Sequence, residues 1–206
     1  MAGKIVIADY GMGNLNSVKR KLDKLFAQNI ISSDHKDFLQ ADKIILPGVG
    51  HFQMAMENLK NRNLIHALNE TVLVKKKPIL GICLGMQLMA KQSEEGNSTG
   101  LGWFDANIVK FKVLDSLKFK VPHMGWNQIN ISKPSSLFIN VDDHSEFYFV
   151  HTYHWKSNNQ NDVLNETDYD YTFTSAVEKE NIFGVQYHPE KSHDAGEQLL
   201  KNFIDL

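Results

Sequence analysis

The chain has 206 residues, 42% of them hydrophobic, enough for the core of one α/β domain. Twenty-two basic against 24 acidic residues leave a net charge of −2, which advertises no surface for nucleic acid or anionic lipid. One cysteine rules out an internal disulfide, and no apolar run reaches the roughly 18 residues of a membrane span or reads as a signal peptide, so a soluble cytoplasmic protein is expected.

Residues 4–8 read as a buried parallel strand, followed by the tight turn Asp9-Tyr10-Gly11-Met12-Gly13-Asn14. Leu15, Val18, Leu22, Leu25 and Phe26 then trace one helix face. Gly11 and Gly13 suggest a dinucleotide turn, but Asn16 stands where the third glycine belongs, so a plain strand-to-helix turn is the better account. A second strand over 42–46 runs into Pro47-Gly48-Val49-Gly50, and helices are predicted over 51–60 and 64–74. Residues 78–82 form a short buried strand, and from Leu84 the spacing turns helical, with Leu88 and Met89 on the same side. This alternation predicts a central, mostly parallel sheet with helices on both faces, whose sites gather at the C-terminal strand ends. Beyond Gly96 the strand-like stretches 107–111, 128–131, 147–153, 171–178 and 182–187 are expected to add antiparallel strands in the C-terminal half. Residues 157–170 read as a solvated loop, and 192–204 as a closing helix. With no repeat or linker, residues 1–206 are expected to form a single domain.

Cys83 lies where the strand over 78–82 turns into a helix, flanked by Gly81 and Gly85. A lone cysteine is more often a small buried apolar residue. Close approach of neighbouring backbone at a sharp turn, however, requires glycines at these spacings, giving a nucleophile elbow with a thiol in place of the usual hydroxyl. A helix N-terminus beneath the sulfur would favour the thiolate. His188-Pro189-Glu190 follows an apolar strand and offers a base with a carboxylate to orient it. The glycines of Pro47-Gly48-Val49-Gly50 free the backbone of Val49 and Gly50 to aim N–H groups at a reacting carbonyl, and the Leu84 amide would supply a second oxyanion donor. His151 and His154, read as one strand, point to opposite faces and cannot chelate together, so no metal is expected. Trp126, beside Pro122-His123-Met124-Gly125, is either ordinary packing or a partner-facing aromatic patch.

Gly81-Ile82-Cys83-Leu84-Gly85-Met86-Gln87 with Gln186-Tyr187-His188-Pro189-Glu190 resembles the triad-type (class I) glutamine amidotransferases. Pro122-His123-Met124-Gly125-Trp126-Asn127 and Pro189-Glu190-Lys191-Ser192 are more specific. With Asp9-Tyr10-Gly11-Met12-Gly13-Asn14, Pro47-Gly48-Val49-Gly50-His51-Phe52 and Phe149-Val150-His151-Thr152-Tyr153, they make the whole chain similar to the glutaminase subunits of imidazole glycerol phosphate synthase. The resemblance implies a Cys83–His188–Glu190 triad that hydrolyses glutamine, held by Gly50, Gln87, Glu95, Thr152 and Tyr153, without a cofactor. It further implies ammonia passage to a (βα)8-barrel cyclase subunit, faced by Trp126, Tyr148 and Lys191, which converts the nucleotide PRFAR to imidazole glycerol phosphate and AICAR. Two other readings share the triad: a paralogue feeding ammonia to a surface-polysaccharide sugar, and a free-standing γ-glutamyl hydrolase.

Overall fold

The computed structural model describes residues 3–206. In chain order the N-terminal half runs β1 (Ile5–Ala8), α1 (Leu15–Lys24), β2 (Asn29–Ser32), α2 (His35–Leu39), β3 (Lys43–Gly48), α3 (Phe52–Asn61), α4 (Leu64–Asn69), β4 (Ile79–Cys83) and α5 (Leu84–Gln87). The second half adds β5 (Gln92–Ser93), β6 (Ser98–Thr99), β7 (Ala106–Lys110), β8 (His123–Gln128), β9 (Asn130–Ile131), β10 (Glu146–His151) and β11 (Tyr153–Ser157). It closes with β12 (Val163–Asp168), β13 (Thr172–Lys179), β14 (Ile182–Val185) and α6 (His193–Asp205).

Strands β2, β1, β3, β4 and β14 pair in parallel, in that spatial order. From β14 the sheet continues through antiparallel β13, β11 and β7. Alternate residues of a strand point to opposite faces. Val6 and Ala8 accordingly join the core beneath α3 and α4, with Ile44, Leu46, Phe52, Leu59 and Leu68. Ile5 and Ile7 face the other way, onto Val18 and Leu22 of α1 and Leu199, Leu200 and Phe203 of α6. Each such side chain taken fully out of water contributes roughly 1.5–3 kcal/mol, so the sheet is clamped from both sides. Strands β8 and β10 form a separate two-stranded antiparallel ribbon, whose register sets His123 against His151 and Trp126 against Tyr148.

The structure differs from the sequence expectations at several places. The strand expected over 128–131 is interrupted at Ile129, between β8, which starts already at His123, and the short β9. Residues 157–170 are no solvated loop: they hold β12, which pairs with β13 and β9. Its inward polar residues Asn165 and Thr167 are buried in a closed network, where Asn165 donates to the Tyr187 hydroxyl at 3.0 Å and accepts from Ser175 at 2.8 Å, and Thr167 bonds Ser175 at 2.7 Å. β2 and α2 are additional elements; β2 has only two apolar residues, and α2 is a five-residue turn capped by Asp34, which accepts from the Lys36 amide. The expected strand over 147–153 breaks at Thr152, so His151 and His154 belong to different strands. The helix after Cys83 is a single turn, ending at Gln87, while Leu88 and Met89 are buried beyond it.

Candidate active site

β4 delivers Cys83 to the C-terminal edge of the parallel strands with φ 54° and ψ −111°. A non-glycine residue in that region costs about 1–3 kcal/mol and persists only where its surroundings enforce it. They do so here by close contact. A Cβ on Gly85 would land on the Leu46 carbonyl of β3, and one on Gly81 would lie 2.7 Å from the Met86 amide nitrogen. The single turn of α5 aligns too few peptide dipoles to act as a full helix terminus, so the electrostatic partner of the sulfur must be found elsewhere.

That partner is His188, beyond the end of β14, the parallel neighbour of β4. Its amide donates to the Tyr148 carbonyl at 2.9 Å, and its carbonyl accepts from the buried Ser192 hydroxyl at 2.6 Å. The ring Nδ1 lies 2.8 Å from Glu190 Oε1, and both side chains are only 3% exposed. Burial alone pushes the ring towards neutrality, but the charge of Cys83 and the Glu190 carboxylate outweigh it and push His188 up to about 10. Among the described residues Nε2 has no partner in hydrogen-bond geometry, although the Cys83 sulfur lies near enough to raise the ring both by its charge and as a hydrogen-bond acceptor. Such contacts often tighten only when substrate is bound.

A pocket of about 270 Å³ opens over Cys83. Val49, Gly50, Leu84, Gln87, Glu95, Thr152 and Tyr153 all line it, so the structure brings together every residue expected to form the oxyanion hole or hold substrate; Pro122, Val150 and His151 complete the wall. Glu95 Oε2 accepts from the Phe52 amide at 2.7 Å, which ties the pocket rim to the start of α3. Burial and the Glu95 and Glu94 carboxylates raise the Tyr153 hydroxyl above its ordinary range. Below the Val49–Gly50 segment, the buried Tyr10 hydroxyl donates to the Pro47 carbonyl at 2.8 Å. The Val49–Gly50 peptide itself is held by no hydrogen bond among the described residues, and Gly50 has φ +123°, open to glycine alone at low cost.

One wall of the pocket rests on histidines. His151 Nδ1 lies 2.8 Å from the Tyr153 carbonyl, which can only accept, so His151 donates there and its Nε2 accepts from His123 Nδ1 at 3.0 Å. His154 instead bonds the Tyr171 hydroxyl at 2.9 Å. Burial is the main cause that depresses all three rings, His123 to about 4. Among the described residues, no group of three or more His, Cys, Asp or Glu is placed to hold a metal ion.

Trp126, Tyr148 and Lys191 share one face next to the triad. The Trp126 ring stacks on His193 at 4.7 Å and meets Tyr148 edge-on at 6.1 Å, and Lys191 Nζ sits 5.6 Å from the Tyr148 ring. Met124, 61% exposed, extends the face. The sequence reading assigned no role to Met124 or His193, nor to Gln186, which is wholly buried with Nε2 3.6 Å from the Cys83 sulfur. A fully polar amide closing an apolar strand was the available signal for Gln186.

Residues 6–206 match the family model described as Glutamine amidotransferase class-I. The chain belongs to the class-I glutamine amidotransferases. It is 50% identical over 200 residues to imidazole glycerol phosphate synthase subunit HisH 2 of Methanococcus maripaludis, covering 97% of this chain and 98% of that protein. It is 47% identical over 203 residues to subunit HisH 1 of Campylobacter jejuni (98% and 100% covered) and 44% identical over 202 to HisH 2 of Pseudomonas aeruginosa (98% and 99%). Among solved structures, one titled as a glutamine amidotransferase superposes with TM-score 0.74 at 14% identity, covering 97% of each chain. A second amidotransferase, from Thermotoga maritima, gives 0.70 at 14% identity, covering 100% of this chain and 97% of that one. At those identities the superpositions establish the amidotransferase fold, with its parallel core and antiparallel extension.

Proposed function

We propose that this amidotransferase is the glutamine-hydrolysing subunit of an imidazole glycerol phosphate synthase, one domain over residues 1–206, acting in the cytoplasm beside a (βα)8-barrel cyclase. The observation that carries the chemistry is a thiol forced onto a strained elbow next to a buried imidazole–carboxylate pair 2.8 Å apart. Cys83 attacks the side-chain carbonyl of glutamine, and the Val49 or Gly50 and Leu84 amides stabilise the oxyanion. His188 gives a proton to the departing amine, so ammonia leaves and a glutamyl thioester remains. Water, deprotonated by His188, then attacks the thioester, and glutamate departs as the thiol is restored. Glu190 keeps the ring oriented and stabilises its cationic form. Gln87, Glu95, Thr152 and Tyr153 hold the amino acid.

The cyclase as partner is supported by the relatives, which are named as subunits of that synthase, and by the exposed Trp126–Tyr148–Lys191 face beside the triad. The same names favour the histidine route over sugar amidation. The test is complementation of a histidine auxotroph lacking its glutaminase subunit, with glutamate release measured on the purified pair. Growth on minimal medium with glutamine-dependent formation of imidazole glycerol phosphate is expected. Failure to complement, with glutaminase activity intact, would move the protein to another acceptor.

A further inference from the structure

We propose that Gln186 is a positioning residue for the nucleophile: its amide holds the Cys83 sulfur as an anion and ties it, through Gln87, to the strand that carries Tyr153. The inference rests on the glutaminase reading above and deepens it.

The amide orientations follow from one atom that cannot donate. Gln87 lies 3.0 Å from the Tyr153 carbonyl, so the group facing that oxygen must be the NH2 of Gln87. The same nitrogen lies 2.9 Å from Gln186, so the Gln186 atom meeting it must be Oε1. Gln186 Nε2 is thereby turned towards Cys83, 3.6 Å from the sulfur. The chain of bonds runs from a backbone carbonyl at the pocket wall to the reacting atom: a flip of Gln87 would set its oxygen against the Tyr153 carbonyl, and a flip of Gln186 would set two NH2 groups face to face.

Gln186 is wholly buried, and its backbone is pinned by the Ser175 carbonyl at 2.8 Å, so the donor is aimed in advance. Among the described residues the sulfur's other hydrogen-bond contact is the Val150 carbonyl at 3.9 Å, an acceptor that suits only the protonated thiol. A donor on one side and an acceptor on the other means that the bond to Gln186 strengthens as the proton leaves. The titratable groups around the sulfur are His188, backed by Glu190, Tyr10 below the oxyanion segment, and His151, Tyr153 and Glu95 across the pocket. Gln87 also lines the pocket with both of its amide hydrogens already engaged, so its carbonyl oxygen is what it offers a ligand. A substrate that pulls on Gln87 pulls on the donor to the sulfur.

Because Cys83 is the chain's one thiol, iodoacetamide reports on that atom alone. The experiment measures alkylation rate against pH in the full chain for wild type, Gln186→Met and Gln186→Glu, with kcat and KM for glutamine in the complex with its cyclase. Losing one hydrogen bond to an anion should move the alkylation profile of Gln186→Met up by about one pH unit and lower kcat about tenfold, with a smaller change in KM. Gln186→Glu keeps the acceptor for Gln87 but sets a carboxylate against the sulfur, so its shift should be larger. Should neither variant fold, Gln87→Leu removes the outer link together with a contact to glutamine, and the alkylation profile, which needs no substrate, should still move in the same direction. An alkylation profile and kcat within twofold of wild type in the folded variants, or a lowered melting temperature alone, would overturn the role. The glutaminase reading fails separately, if Cys83→Ala retains turnover.

Discussion

Alanine at position 83 removes the only thiol in the chain, so Cys83→Ala is expected to abolish glutamate release while the complex still uses free ammonia. Assays with glutamine and with ammonium salts on the same preparation separate the two, and residual glutamine turnover above contaminant level would contradict the nucleophile. Glu190→Gln should fold normally, yet it replaces the charge that stabilises imidazolium with a neutral amide 2.8 Å from Nδ1. In serine triads the comparable change lowers kcat about 10⁴-fold. A thiol needs its base less than a hydroxyl does, so a smaller loss is expected; kinetics at wild-type level would reduce Glu190 to a buried acceptor. Both assignments were legible because Cys83, His188 and Glu190 lie in short motifs whose spacing has a geometric meaning. Gln186 lay inside one of those motifs and stayed unread. Its direction is set by Gln87 and the Tyr153 carbonyl, which lie 99 and 33 residues away in the chain and meet only in the fold.

Single elements carry the next level of prediction. Gly85→Ala would drive a methyl group into the Leu46 carbonyl of β3, so the elbow must open or β3 must shift. Overpacking of this kind destabilises by about 3 kcal/mol, read as a lowered thermal midpoint. The β8–β10 ribbon predicts acid sensitivity. Burial holds His123 neutral down to about pH 4, against an ordinary value near 6.5 when unfolded. A depressed folded value means that the stabilisation is present above pH 6.5 and is lost as pH falls towards 4, roughly 3 kcal/mol at most. Denaturant midpoints at pH 7.5, 5.5 and 4.5 should converge for wild type and His123→Gln as the pH drops; parallel curves would remove the ring from the account. At this scale the sequence was informative where a strand is uniformly apolar, as in β1, β3, β4 and β14. It misled at β12, because Asn165, Thr167 and Ser175 satisfy one another in the core and composition alone reads such residues as solvated. It overextended α5, because Leu88 and Met89 keep a helical spacing while the chain leaves the helix through tight hydrogen-bonded turns.

For the whole molecule the expectation concerns coupling. The isolated chain should release glutamate slowly, faster with the cyclase, and fastest when the cyclase site is also filled. Tyr10 anchors the Pro47 carbonyl, but nothing among the described residues anchors the Val49–Gly50 peptide, so that unit can turn its N–H towards or away from the oxyanion at little cost. A donor worth about 3–4 kcal/mol makes the rotation alone good for 10²–10³-fold. Activation beyond that range requires Cys83 and His188 to come into line as well, which His188 Nε2, unpartnered among the described residues, leaves room for. Equal rates in the three conditions would favour a free-standing hydrolase. The distance such a signal must travel is short. Tyr148 turns its ring to the exposed face while its carbonyl accepts from the His188 amide at 2.9 Å. A protein that leans on the ribbon therefore has its hand on the peptide that carries the catalytic base, with one bond as the lever and no wire through the core.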